Sequence, residues 1–184
     1  MSVKKTRSDK ARLRKKMKRL LLTAAKRKRS SVLVCRKIQN SLFFKDARTV
    51  GFYAALNDEV DVFPLAQTAL KLGKKVFFPK ASGRAIEFRE VRDLEKDFCV
   101  GAYQIREPYS RRTSKRVRAL DLVLVPGRAF DALGGRLGRG GGHYDRLLAK
   151  WTSSVCVGVA FREQKVRAVP MDEHDIRMDA VVTG

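Results

Sequence analysis

The sequence predicts a three-layer α/β/α fold, with a mostly parallel central sheet covered by helices on both faces, and three observations support it. Near-continuous apolar runs of strand length recur along the chain, as in Leu120-Asp121-Leu122-Val123-Leu124-Val125, and such runs suit strands buried on both sides. Segments of helical period lie between them, and short turns carrying glycine or proline join them. The 184 residues suit one domain, so 1–184 is read as a single open, Rossmann-like sheet.

The first 29 residues hold fourteen Lys and Arg against one acid, Asp9. Within them Leu13, Met17, Leu20, Leu21, Ala24 and Ala25 recur at steps of three and four, which predicts a basic amphipathic helix over about 8–29. Ser30 or Ser31 is placed to cap a second helix, in which Val34, Cys35, Ile38 and Leu42 share a face. Residues 49–56 read as the first buried strand, followed by the loop Asn57-Asp58-Glu59. Phe63, Ala66, Leu70 and Leu72 mark a helix stopped by Gly73, and Lys75-Val76-Phe77-Phe78 a second strand. Strand, helix, strand with short connections implies a right-handed crossover and a parallel pair.

Residues 85–90 alternate with period two, as in a more exposed strand. Residues 91–118 are polar, rich in Arg and contain Pro108, and read as a long loop. The strand over 120–125 ends at Pro126-Gly127, and a glycine-rich turn, 134–142, leads into a helix over 144–151. A further strand covers 155–161 and a short last one 180–183. Trp151 and the Phe52-Tyr53 pair read as core, and His174 as a surface loop residue.

The whole chain carries 41 Lys and Arg against 19 Asp and Glu, a formal charge of +22. That predicts attraction to polyanions without choosing among nucleic acids, nucleotides and acidic metabolites. Over half the excess lies in residues 1–29, whose balance is +13. Cys35, Cys99 and Cys156 are odd in number and lack C-x-x-C spacing. They exclude a disulfide scaffold and a cysteine zinc site, and the expected compartment is the reducing cytoplasm. No apolar run approaches the ~20 residues of a membrane span, and the charged start Met1-Ser2-Val3-Lys4-Lys5 argues against a secretory signal. No membrane partner is expected.

The densest unusual chemistry lies in Gly134-Gly135-Arg136-Leu137-Gly138-Arg139-Gly140-Gly141-Gly142-His143-Tyr144-Asp145. Six glycines lack the Cβ that would keep an anion from the backbone N–H groups, a helix N-terminus follows, and Arg136 and Arg139 add charge. This composition suggests a phosphate cradle, although neither G-x-x-x-x-G-K-[ST] nor G-x-G-x-x-G is present. The turn follows a predicted strand at the carboxyl edge of a parallel sheet, where ligands bind.

Taken with Asp121-Leu122-Val123-Leu124-Val125-Pro126-Gly127 and Ala129-Phe130-Asp131, this turn resembles the signature of the 5-formyltetrahydrofolate cyclo-ligases (methenyltetrahydrofolate synthetases). The resemblance extends over nearly the whole chain. It takes in Lys10-Ala11-Arg12-Leu13-Arg14, Asp58-Glu59-Val60-Asp61, and Val169-Pro170 through His174-Asp175 with Asp179. It implies an ATP- and Mg²⁺-dependent ligase that turns 5-formyltetrahydrofolate into 5,10-methenyltetrahydrofolate, releasing ADP and phosphate. In such a reaction the formyl oxygen takes the γ-phosphoryl group, N10 attacks the carbon, and phosphate leaves with the oxygen. No protein nucleophile is needed, so alignment and charge neutralisation carry catalysis.

The resemblance also implies roles for single residues. Lys10 and Arg14, one helical turn apart, would reach the ATP phosphates. Arg136, Leu137, Gly138, Arg139, Gly140, Gly141, Gly142, His143 and Tyr144 would line ATP, with Arg139 to His143 also near the reacting end of the folate. Arg139 and Asp145 would be catalytic, and Asp145 and Asp175 would hold Mg²⁺. Glu59 would hydrogen-bond the pterin, Ala54 would line its pocket, and Tyr103 would stack on it. The chain departs from the family at Gly141, where lysine is common, and at His143, where tyrosine is usual. His143, at a helix N-terminus, is not expected to act as an acid or base. A monomer is expected. The competing reading is a basic nucleic-acid-binding α/β protein without this activity, and a third keeps the fold as an inactive nucleotide-binding relic. Against the nucleic-acid reading stands the lack of a recognised binding motif or a row of interleaved aromatics.

Overall fold

The computed structural model describes residues 3–20, 22–83, 85–101, 106–109, 117 and 119–184. A six-stranded sheet runs through it, built from β1 (Thr49–Gly51), β2 (Lys75–Ser82), β3 (Ala85–Val91), β6 (Leu122–Pro126), β9 (Val155–Ala160) and β10 (Ala180–Thr183) in the order β10-β9-β6-β1-β2-β3. Every neighbouring pair is parallel except β2 and β3, an antiparallel hairpin at one edge. The sheet is therefore mostly parallel and open, as expected.

Alternation along the strands sorts the core into two layers. Leu122 and Leu124 of β6, Val157 and Val159 of β9, and Val76 and Phe78 of β2 face one side. There they meet α2 (Ala24–Asn40), α3 (Leu42–Asp46) and α4 (Phe63–Lys71) through Val34, Ile38, Phe44, Leu65 and Ala69. Val123, Val125, Cys156 and Phe77 face the other side and meet α5 (His143–Leu148), with Trp151 and Met178. Trp151, Phe52 and Tyr53 are buried, as their apolar surroundings in the sequence suggested. The thiols of Cys35 and Cys156 are free, and burial pushes both up to about 11.

Four local expectations are corrected. The basic segment is not one helix over 8–29: α1 (Val3–Lys18) ends before the turn, and α2 begins at Ala24. The second helix starts earlier than Ser30 because Thr23 caps it, its hydroxyl accepting the Lys26 N–H at 3.2 Å. Ser31 instead lies inside α2, where its Oγ accepts the Asp61 N–H at 3.0 Å. The predicted strand over 49–56 shortens to three residues, and after one more bond, Phe52 N–H to the Phe77 carbonyl, the chain leaves the sheet. The stretch 91–118 contains a small ribbon, β4 (Phe98–Val100) paired with β5 (Arg106–Pro108), in place of loop throughout.

Two features position the site. The chain leaves β1 towards β2 on one side and returns to β6 on the other, so a crevice opens at the carboxyl ends between β1 and β6. Above it sits α1, which covers neither face of the sheet. Its Leu13 and Met17, with Leu20 beyond its end, pack on Ala129 and Leu137 of the antiparallel hairpin β7 (Ala129–Phe130) and β8 (Arg136–Leu137). Leu124→Ala is expected to lower the unfolding free energy by about 2–5 kcal/mol in urea titrations. Leu42→Ala, at a side chain that is 74% exposed, is expected to cost under about 0.5 kcal/mol.

Candidate active site

A cleft of about 910 Å³ lies at this crevice. Its floor is the chain leaving β1 (Tyr53, Ala54, Glu59) and β6 (Pro126, Gly127). The turn from Arg136 to Tyr144 forms one wall, Asp172 to Ile176 another, and Arg7, Lys10 and Arg14 of α1 hang over it. Residues 10, 14, 54, 59, 136–145 and 175, separate in sequence, are thereby gathered around one space. Tyr103 lies outside the described residues.

The glycine turn is anchored by Asp131, which follows β7. Its Oδ1 accepts the N–H groups of Leu133 at 2.9 Å and Gly135 at 2.8 Å, and its Oδ2 that of Val169 at 2.8 Å. Burial opposes the charge, but the three backbone donors outweigh it and hold this carboxyl below the usual aspartate range. Gly134 is required beside it. Its φ of +78° is left-handed, and a Cβ would come within 2.2 Å of the Met178 carbonyl oxygen. At the far end Gly142, at φ +63°, opens α5. That helix has six residues, shorter than the expected 144–151, so its dipole is a minor part of the cleft's field.

Most cations of the cleft are already engaged. Arg136 is almost fully buried, donating to Asp145 Oδ1 at 2.8 Å and lying over the Tyr144 ring, while its Nε has no partner among the described residues. Arg139 crosses the cleft to Glu59 Oε1, at 3.0 Å from Nη2, and to Asp58, which Arg128 also holds. Burial, ahead of the field of Asp58, raises the pKa of Glu59, and the Leu56 N–H and Arg139 work against that rise. Lys10 donates to Asp172 Oδ2 at 2.6 Å and to Asp175 Oδ2. Arg14 Nε donates to the Gly138 carbonyl at 2.9 Å, tying α1 to the turn.

Several predicted residues have side chains that meet protein neighbours. Leu137 packs its side chain against Met17 and Val169. His143 and Gly141 meet Arg146, whose Nη2 donates to the Gly141 carbonyl at 2.7 Å. Tyr144 is half-buried, and desolvation of its hydroxyl raises the phenol well above the ordinary tyrosine range. Sequence reasoning passed over Asp58, Arg128, Asp131 and Asp172. For Asp131, the position just before the turn was a usable signal, since aspartate side chains often accept N–H groups two residues on.

Magnesium fits the chemistry of Asp145 and Asp175. Each uses one oxygen, Oδ1 of Asp145 for Arg136 and the Ile176 N–H, and Oδ2 of Asp175 for Lys10 and the Asp172 N–H. The second oxygen of each carries no hydrogen bond among the described residues. Among the described residues no group of three His, Cys, Asp or Glu side chains gathers there to hold a metal unaided; an ion that takes one or two carboxylates completes its shell from phosphate and water.

A family model for the 5-formyltetrahydrofolate cyclo-ligase family matches residues 6–184. The 5-formyltetrahydrofolate cyclo-ligase of Escherichia coli is 34% identical over 143 residues, covering 74% of this chain and 78% of its own. That of Mus musculus is 29% identical over 189 residues, covering 95% and 93%. The solution structure of the 5,10-methenyltetrahydrofolate synthetase of Aquifex aeolicus superposes with a TM-score of 0.83 at 38% identity, covering 95% of this chain and 89% of that one. These relatives lend no support to the nucleic-acid-binding reading. No helix among the described residues is long and apolar enough to cross a membrane.

Because the depressed Asp131 carboxyl stabilises the fold only while ionised, wild type should exceed Asp131→Asn in melting temperature at neutral pH. The gap should start to close as pH falls below the ordinary aspartate value and vanish below the lower folded-state value, as thermal melts across that range would record.

Proposed function

The chain belongs to the 5-formyltetrahydrofolate cyclo-ligase family, and we propose that its cleft seats ATP beside the folate, so that cyclisation releases ADP and phosphate. It is a ligase of folate one-carbon metabolism, closing 5-formyltetrahydrofolate to 5,10-methenyltetrahydrofolate. One observation carries the assignment of the cleft: a turn that lines it with four of its six glycines faces Lys10 and Arg14 of α1 across a single space that also holds Glu59.

Lys10 and Arg14 bind the phosphates from above, and the main chain from Arg136 to Tyr144 lines the nucleotide from the side. Arg139 is the catalytic cation. Its guanidinium stands between the turn and Glu59, so it stabilises charge moving from the formyl oxygen to the transferred phosphoryl group. Glu59 orients the pterin with Ala54 beside it. Asp145 and Asp175 hold Mg²⁺, which supplies neutralisation of phosphate charge when bound. Arg136, buried against Asp145, acts as a fixed positive support behind the turn. The protein's part is to align two anions and exclude water, which fits a cleft without a nucleophile–base pair.

Purified protein supplied with ATP, Mg²⁺ and 5-formyltetrahydrofolate is expected to form methenyltetrahydrofolate, followed by its near-ultraviolet absorbance, with one ADP per turnover. Absence of product from folded protein would remove the reading. Arg139→Ala is expected to lower kcat/KM by about a hundredfold. Asp145→Ala is expected to abolish Mg²⁺-dependent turnover while circular dichroism stays native, and undiminished activity would take Asp145 out of the metal site.

A further inference from the structure

Lys10 sits between two carboxylates, and one of them, Asp175, belongs to the proposed metal site. Asp172 is the second. Its Oδ2 accepts from Lys10 at 2.6 Å, and its Oδ1 accepts the His174 N–H at 3.1 Å, so the loop itself aims the carboxylate. The same short loop closes on itself through the Asp172 N–H, which donates to Asp175 Oδ2 at 2.7 Å. The lysine that bridges them is only 9% exposed at its side chain. Lys10 is 162 residues from Asp172 in sequence, and this contact joins α1 to the C-terminal loop at the mouth of the cleft.

A lysine chain is long and rotatable, so its ammonium works as a phosphate contact only if something holds it in place. In the ligand-free arrangement two carboxylates do so. A dication on the second oxygen of Asp175 would share that carboxylate's charge with the lysine, which leaves Asp172 as the one support that Lys10 does not share with the metal. We infer that Asp172 is the positioning residue for Lys10, holding its ammonium over the nucleotide phosphates when Asp175 also serves the metal. The inference rests on the nucleotide reading of the cleft.

The sign of the effect separates this role from plain electrostatics. Asp172 is a negative charge beside a site for a polyanion, so its removal would by Coulomb repulsion alone strengthen ATP binding. A positioning role predicts the reverse. Calorimetric titration with Mg²⁺ and a non-hydrolysable ATP analogue is expected to show Asp172→Asn binding about tenfold more weakly than wild type, the size of one charge-assisted hydrogen bond. Asp172→Glu should recover part of the loss, and adding Asp172→Asn to Lys10→Met should change affinity by less than about twofold, because the two residues act as one unit. Thermal melts confirm that each variant is folded. Equal or tighter binding by folded Asp172→Asn, or full additivity in the double variant, would overturn the inference and leave the nucleotide reading standing. Unchanged binding by Lys10→Met would overturn both.

Discussion

Three of the basic side chains that meet in the cleft are pinned by carboxylates, and the site depends on that pinning. Lys10 is held by Asp172 and Asp175, Arg136 by Asp145, and Arg139 by Asp58 and Glu59. Without such partners, positive charges converging on one space would repel and their side chains would turn out to solvent. With them, a polyanion entering the cleft meets cations already in place, and binding becomes an exchange of anionic partners rather than an ordering of loose side chains. The acids are few in this chain, and several of them are spent here.

The same constraint explains how the strongly basic N-terminus is used. Its helix, α1, has no acidic residue in its first turn and a run of basic ones in its last, so it gains little from its own dipole at the start. It is instead fastened at three points: Leu13 and Met17 on the β7–β8 hairpin, Arg14 on the Gly138 carbonyl, and Lys10 on the C-terminal loop. The excess charge of residues 1–29 is therefore only in part a solvated face. Lys10 and Arg14, one turn apart, are turned inward, and the remaining basic residues raise the local positive potential around the mouth.

The glycine turn is the second support. Its shape comes from a buried aspartate that satisfies three N–H groups and from a glycine forced by the Met178 carbonyl. Neither is a ligand contact. They set the path of the main chain from Arg136 onward, so that Arg136 points back to Asp145 and Arg139 forward to Glu59.

Much of this was readable beforehand, because it is encoded locally. Apolar runs such as 122–125 state that a strand is buried on both faces, glycine clustering states that a turn is bare, and the cyclo-ligase resemblance named residues most of which the fold gathers around one cleft. The sequence failed where a local pattern had two continuations. Leu20 to Ala25 keep helical period across a break that Thr23 imposes by capping, and 49–56 stay apolar after the chain has left the sheet, because Phe52 and Tyr53 are buried either way. Partner choice was out of reach altogether. Lys10 finds Asp172 across 162 residues, Arg14 finds Gly138 across 124, and Arg139 finds Glu59 across 80. Periodicity and composition are properties of neighbours along the chain, whereas an ion pair is set by where the sheet order brings distant loops. Residue types and element kinds thus belong to the sequence read alone, and the pairing of each charge belongs to the folded chain.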